Sequence, residues 1–141
     1  MRADGPDGYW VSDDPALLNT GRIQHWLSTE AYWALGRPPE VTAAAIKNSL
    51  NLGLYTAGGD QVGYTRLVSD YATFAWLCDV FVDSAHRGGG IGSFLIDQSV
   101  NHPSVRGCRQ FLATAHDRTI YERFGYIDLP GTRRWMERPA T

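Results

Sequence analysis

The chain lacks any run of basic residues: 13 lysines and arginines stand against 15 acids, and the formal net charge is −2. A surface of that balance does not suit a protein that binds by neutralising phosphates along a nucleic acid, so no nucleic-acid partner is expected. No apolar run approaches the roughly 18 residues that suggest a membrane span, and residues 1–8 lack the apolar core of a signal peptide. A cytoplasmic protein with no membrane partner is the expectation. The only two cysteines, Cys78 and Cys108, show neither CxxC nor Cys/His metal spacing, so both read as free thiols and no metal is expected. Repeats and interdomain linkers are absent too. What remains is 141 residues with 43% hydrophobic content, enough for one domain with a buried core.

The informative stretch is Leu77 to Ile96, where an apolar strand pattern runs into Arg87-Gly88-Gly89-Gly90-Ile91-Gly92-Ser93 and then directly into a helical pattern. The first N–H groups of a helix have no partner within it and carry partial positive charge, so a glycine loop opening onto a helix is suited to an anion. Glycine also lets the backbone take positive φ and approach a ligand closely. The spacing rejects two familiar phosphate loops. A P-loop needs Lys-Ser or Lys-Thr after its last glycine, and Ile91 and Ser93 flank Gly92 instead. A dinucleotide fingerprint starting at Gly88 needs glycine or alanine at position 93 and an acid about 20 residues on, where Arg109 and Gln110 stand.

The pattern across Arg87, Gly90 and Gly92 resembles the Arg/Gln-x-x-Gly-x-Gly/Ala signature of the Gcn5-related N-acetyltransferases, the GNAT superfamily. Further resemblance lies in Tyr121 followed by Gly125-Tyr126, in Ala31-Tyr32-Trp33-Ala34, in Asp70 to Phe74 and in Arg134-Trp135-Met136; it points to a small single-domain bacterial subgroup. The resemblance implies an α/β (α+β) fold with a mixed, mostly antiparallel central sheet of about six to seven strands and about four helices. It also implies acetyl-coenzyme A as co-substrate, a primary amine of a small molecule or peptide as acceptor, and, by analogy, a homodimer.

Patterning along the chain is compatible with that fold. Residues 1–8, rich in Gly, Pro and Asp, read as a flexible leader, with the domain spanning 9–141. Strands are expected near Tyr9–Val11, Asn51–Thr56, Gln61–Val68, Phe74–Val82, Gln110–Ala113, Tyr126–Leu129 and Arg133–Glu137. Helices are expected near Thr20–Leu27, Glu40–Leu50, Ile91–Val100 and Asp117–Phe124, with a short piece at Tyr32–Leu35.

Acetyl transfer needs a held thioester, a neutral amine, a donor for the developing oxyanion and an acid for the departing thiolate. By the resemblance, backbone groups over Arg87, Gly88, Gly89, Gly90, Ile91, Gly92 and Ser93 hold the pyrophosphate, with Arg87 either adding charge or only positioning the loop. Val80, Phe81 and Val82 correspond to the family strand whose backbone pairs with the pantetheine arm, beside a bulge that leaves room for it, and an N–H near Phe81 faces the thioester. Tyr121 matches the family tyrosine that approaches the sulfur; a phenol near ~10 stays protonated at neutral pH and can donate to a thiolate of ~8.5. Packing against the cofactor is its alternative role. Asp79 shares a face with Phe81 and is either the general base or a structural acceptor, with Asp70, Glu30, His25, His116 or ordered water as other bases. The subgroup often carries a histidine nearer the tyrosine, where this chain has Arg118-Thr119. Tyr32, Trp33, Tyr71 and Trp76 are candidates for the acceptor pocket, or for the core. Convergence of Asp70, Asp79 and Asp83 at the cleft mouth is expected to favour a cationic acceptor. A non-catalytic acyl-coenzyme A sensor is the alternative to an enzyme, and a different acyl donor stays open.

Overall fold

The computed structural model describes residues 1–140, apart from the side chain of Thr132. Six strands form one sheet in the order β1-β2-β3-β4-β5-β6: β1 (Arg2–Asp4), β2 (Trp10–Ser12), β3 (Leu50–Tyr55), β4 (Gln61–Ser69), β5 (Phe74–Val82) and β6 (Arg109–Phe111). Every neighbouring pair is antiparallel except β5 and β6, which are parallel. Four α-helices accompany the sheet among the described residues: α1 (Thr20–Thr29), α2 (Pro39–Lys47), α3 (Ile91–Val100) and α4 (Arg118–Glu122). This is the mixed α/β architecture expected from the sequence.

Local chemistry explains the helix ends. Asn19 caps α1 by accepting from the Arg22 N–H at 3.0 Å, and Pro39 opens α2 where its missing N–H costs nothing. Ile23, Trp26 and Leu27 recur at helical spacing and give α1 its buried stripe, which packs with Tyr64 and Phe81 on one face of the sheet. On the other face, Ile91, Leu95, Ile96 and Val100 of α3 pack on Leu52, Leu54, Leu67, Ala75 and Leu77.

The two faces exchange partners along β5. Ala75 and Leu77 point to the α3 side, yet further on it is Val80 and Val82 that pack there, while Phe81 joins the α1 side. A bulge makes the switch: Tyr64 pairs with Phe81 and Arg66 with Cys78, so Asp79 and Val80 together oppose Thr65. Asp79 takes φ of 53°, a left-handed conformation that Asp tolerates better than a β-branched residue.

Several sequence expectations are corrected. Residues 1–8 are not a flexible leader: Arg2–Asp4 pairs with Trp10–Ser12 as the sheet edge, and Pro6–Gly8 forms a 3₁₀ turn. The piece at Tyr32–Leu35 is a succession of turns, tied back by Ala34 N–H to Ala31 O and Gly36 N–H to Ser28 O. Neither strand expected after Gly125 forms; Ile127 is 79% and Met136 95% exposed, so these side chains have no face to bury against, and Thr132–Arg134 is a 3₁₀ turn after Pro130-Gly131.

Candidate active site

β5 and β6 part company early. Their parallel pairing covers only Phe74–Trp76 on β5, leaving Leu77–Val82 without a strand on that side, and the gap opens a cleft of about 880 Å³. Its walls include Leu77 to Val82, Leu112 to Thr114, and Thr119, Ile120 and Tyr121 of α4; Arg87 and Gly92 close the α3 end. A smaller cavity of about 460 Å³ lies across β6, bounded by Arg106, Phe111, Tyr126 and Pro130, away from the glycine loop.

At the α3 end, Gly88, Gly89 and Gly90 have φ of 92°, 67° and 81°, and a Cβ added at any of them would meet nothing within 4 Å. Three left-handed residues in succession suit glycine, and the space beside them is open. Gly90 is the N-cap of α3 and no side chain caps that end, so the first N–H groups of the helix keep their hydrogen-bonding capacity for an incoming anion. The loop is braced from behind. Asp83 accepts from the Ala85 N–H at 3.1 Å, and Arg87 Nε donates to Val82 O at 2.8 Å with its guanidinium over the Phe81 ring. Tyr9 hydroxyl and His86 Nδ1 lie 2.8 Å apart, tying the loop to the start of β2. The residues thus fit a diphosphate: an uncapped helix end, an open glycine backbone and a strand edge leading away from it.

Tyr121 projects from α4 into the cleft wall, half-buried, its ring edge-on to Tyr126, and its hydroxyl has no hydrogen-bond partner among the described residues. Burial, reinforced by Asp117 and Tyr32, pushes its phenol above the ordinary value, so it stays protonated throughout the neutral range.

Asp79 is held on every side. Trp33 Nε1 donates to Oδ1 at 2.9 Å; Arg37 Nη1 at 2.9 Å and Arg66 Nε at 2.5 Å both donate to Oδ2. Burial alone would raise its pKa, but the hydrogen bonds from Arg37 and Arg66 outweigh that and hold the carboxyl below its usual range. A carboxylate saturated in this way is a poor proton acceptor. Burial pushes the neighbouring Cys78 thiol up, so it is not activated as a nucleophile.

Tyr32, Trp33 and Trp76 line the cleft, with Tyr32 accepting from the Ala115 N–H at 3.0 Å and packing edge-on to Trp33 and His116. Tyr71 does not join them: it sits in the β4–β5 turn with φ of 62°, at the opposite end of β5 from the glycine loop. The three aspartates do not converge either. Asp70 caps that same turn through Thr73 and Ala72, Asp79 is neutralised inside, and Asp83 caps the turn before the glycines. Arg37 and Arg66 were not legible as site residues, because their meeting with Asp79 spans 42 and 13 positions of sequence and only the fold makes it.

The family model for the acetyltransferase (GNAT) domain matches residues 50–128, more than half of the chain. A GNAT-family protein of known structure from Xanthomonas campestris is 39% identical, with 96% of each chain covered and a TM-score of 0.91. The chain belongs to the GNAT acetyltransferase family. A Gibberella zeae protein named "Putative acetyltransferase FG08082" is 32% identical over 106 residues, 62% of this chain; the match spans 60% of that relative's length. The fold is shared with a Clostridium acetobutylicum protein solved with acetyl-CoA (16% identity, 99% and 96% of the two chains covered, TM-score 0.65). It is shared as well with glucosamine-6-phosphate N-acetyltransferase from Arabidopsis thaliana (14% identity, 93% and 97% covered, TM-score 0.64). No helix among the described residues is long and apolar enough to cross a membrane.

Proposed function

We propose that the chain is an N-acetyltransferase that moves an acetyl group from acetyl-coenzyme A to a primary amine by direct attack in a ternary complex. The observation that carries this is continuity: one cleft runs from Arg87 and Gly92, which flank the glycine turn at the start of α3, along the unpaired edge of β5 to Tyr121, whose hydroxyl has no partner among the described residues. In this reading the N–H groups of Gly88 to Ser93 bind the pyrophosphate. The β5 edge over Val80, Phe81 and Val82 pairs with the pantetheine arm as a neighbouring strand would, and orients the thioester.

The amine nitrogen attacks the carbonyl carbon, the carbonyl oxygen gains charge that a β5 backbone N–H offsets, and collapse expels the thiolate. Tyr121 donates its proton to that sulfur and takes one back from solvent before the next turnover. Asp79 keeps Trp33 and Arg37 in place at the acceptor end, and the proton lost by the amine goes to water in the open cleft. Arg87 supports the loop through Val82 O. The family relationship, and the Clostridium structure with acetyl-CoA, support this choice of donor.

The test is release of free coenzyme A thiol from acetyl-coenzyme A in the presence of a panel of primary amines, with mass spectrometry of the acylated product. Amine-dependent thiol release with an N-acetyl product is expected. Tight acetyl-coenzyme A binding with no turnover across the panel would instead mark a sensor.

A further inference from the structure

We infer that the acceptor carries an anionic group, a carboxylate or phosphate, beside its amine, and that Arg37 binds it; this rests on the acetyltransferase reading above. The argument begins with charge. Asp79 is one carboxylate facing two guanidiniums, Arg37 and Arg66, with side chains only 18% and 14% exposed, so the buried cluster keeps a net positive charge. The two arginines divide the work unequally. Arg66 spends Nε on Asp79 and Nη1 on Ser49 Oγ at 3.3 Å, and it is not part of the cleft wall. Arg37 gives a single side-chain hydrogen bond, from Nη1 to Asp79, and lines the cleft; its remaining guanidinium N–H groups have no acceptor among the described residues.

A guanidinium with a planar row of unused donors is matched to the paired oxygens of a carboxylate or phosphate. It is also preorganised. Asp79 fixes one corner of Arg37, Trp33 fixes the other oxygen of Asp79, and the backbone carbonyl of Arg37 accepts from Gln24 Nε2 at 2.8 Å. The acids that share the cleft, Glu30 and Asp117, are exposed, so solvent screens them more than the sheltered cluster. Tyr32 and Trp33 line the same cleft as Arg37, so an acceptor held by that guanidinium would lie against their rings. The charge balance therefore reverses the cationic acceptor expected from the aspartates.

The experiment compares matched acceptors with the intact protein and acetyl-coenzyme A: glycine with glycinamide, and O-phosphoethanolamine with ethanolamine, all rates referred to the concentration of neutral amine. The anionic member of at least one pair is expected to show a kcat/KM about 10- to 100-fold higher, the range of a charge-assisted hydrogen bond. The pair that shows it identifies the anion. Arg37→Gln should abolish that preference by raising KM for the anionic acceptor, with KM for acetyl-coenzyme A unchanged, and Arg37→Lys should restore part of it. Equal use of both members of both pairs, or an equal loss for all acceptors in Arg37→Gln, overturns the anionic acceptor while leaving the acetyltransferase reading intact. If Arg37→Gln does not fold, the wild-type comparison decides alone. Absence of turnover with every amine, acetyl-coenzyme A being bound, overturns both.

Discussion

Trp33 Nε1 donates to Asp79 Oδ1 at 2.9 Å, joining the turn after α1 to the bulge of the central strand across 46 positions of sequence. The bond ties an aromatic side chain that lines the cleft to the central strand, so a change at Asp79 acts on the cleft and on stability together.

Asp79→Asn is expected to destabilise the fold by about 3–5 kcal/mol, because Arg37 and Arg66 would face each other without a counter-charge. Asparagine tolerates the left-handed φ at this position, so the loss reports charge and not backbone strain. The sign of the pH effect follows from a folded pKa held below the ordinary carboxylate value of ~3.9. The ion pair contributes fully above that value and is lost as the pH falls through the lower folded pKa. Denaturant titrations of wild type and variant should therefore differ by a constant amount from pH 5 to 8 and converge in strong acid.

Tyr121→Phe should lower kcat by about 10²-fold or more, the usual range for a positioned acid, with acetyl-coenzyme A affinity nearly unchanged. Because burial raises this phenol, the wild-type rate should hold through neutral pH and fall only above the ordinary tyrosine range of ~10. Steady-state kinetics beside calorimetric binding check both halves; a wild-type kcat in the variant would leave Tyr121 a packing residue.

Gly90→Asp should weaken coenzyme A binding by at least about 100-fold, since it places a negative charge where the uncapped α3 end favours anions. It also puts a side chain on a backbone with φ of 81°. Circular dichroism confirms the fold, calorimetry reads the affinity, and undiminished affinity in a folded variant would move the pyrophosphate elsewhere.

Tyr9→Phe removes the hydroxyl that meets His86 Nδ1 at 2.8 Å and frees the loop from β2. A net hydrogen-bond contribution of about 1 kcal/mol predicts a roughly fivefold rise in KM for acetyl-coenzyme A. The kcat for a saturating acceptor should stay the same, which separates a loop brace from a group that touches the reacting atoms.

Local patterns were legible where periodicity and punctuation agree. Phe74–Val82 and Ile91–Val100 match the strand and helix read from the sequence end to end, since alternation, the glycine run and the apolar stripe all point the same way. Tyr126–Leu129 and Arg133–Glu137 carry aromatic and aliphatic residues as well, but a strand also needs a neighbour and a face to bury, and Ile127 and Met136 have neither. Arg2–Asp4 shows the converse: Arg-Ala-Asp, without a strand signature, pairs because β2 offers it an edge.

The sequence by itself determined the positive-φ glycine turn from Gly88 to Gly90 that opens an uncapped α3, and the family the chain resembles, because glycine φ freedom, helix initiation and motif spacing are local properties. Tertiary structure alone decided that Asp79 would be saturated by Trp33, Arg37 and Arg66, that Tyr71 would lie at the far turn, and that two guanidiniums would share a single carboxylate beside the cleft. Those outcomes depend on which distant side chains share a low-dielectric interior with a bulged strand, and a one-residue bulge changes which face each of them meets.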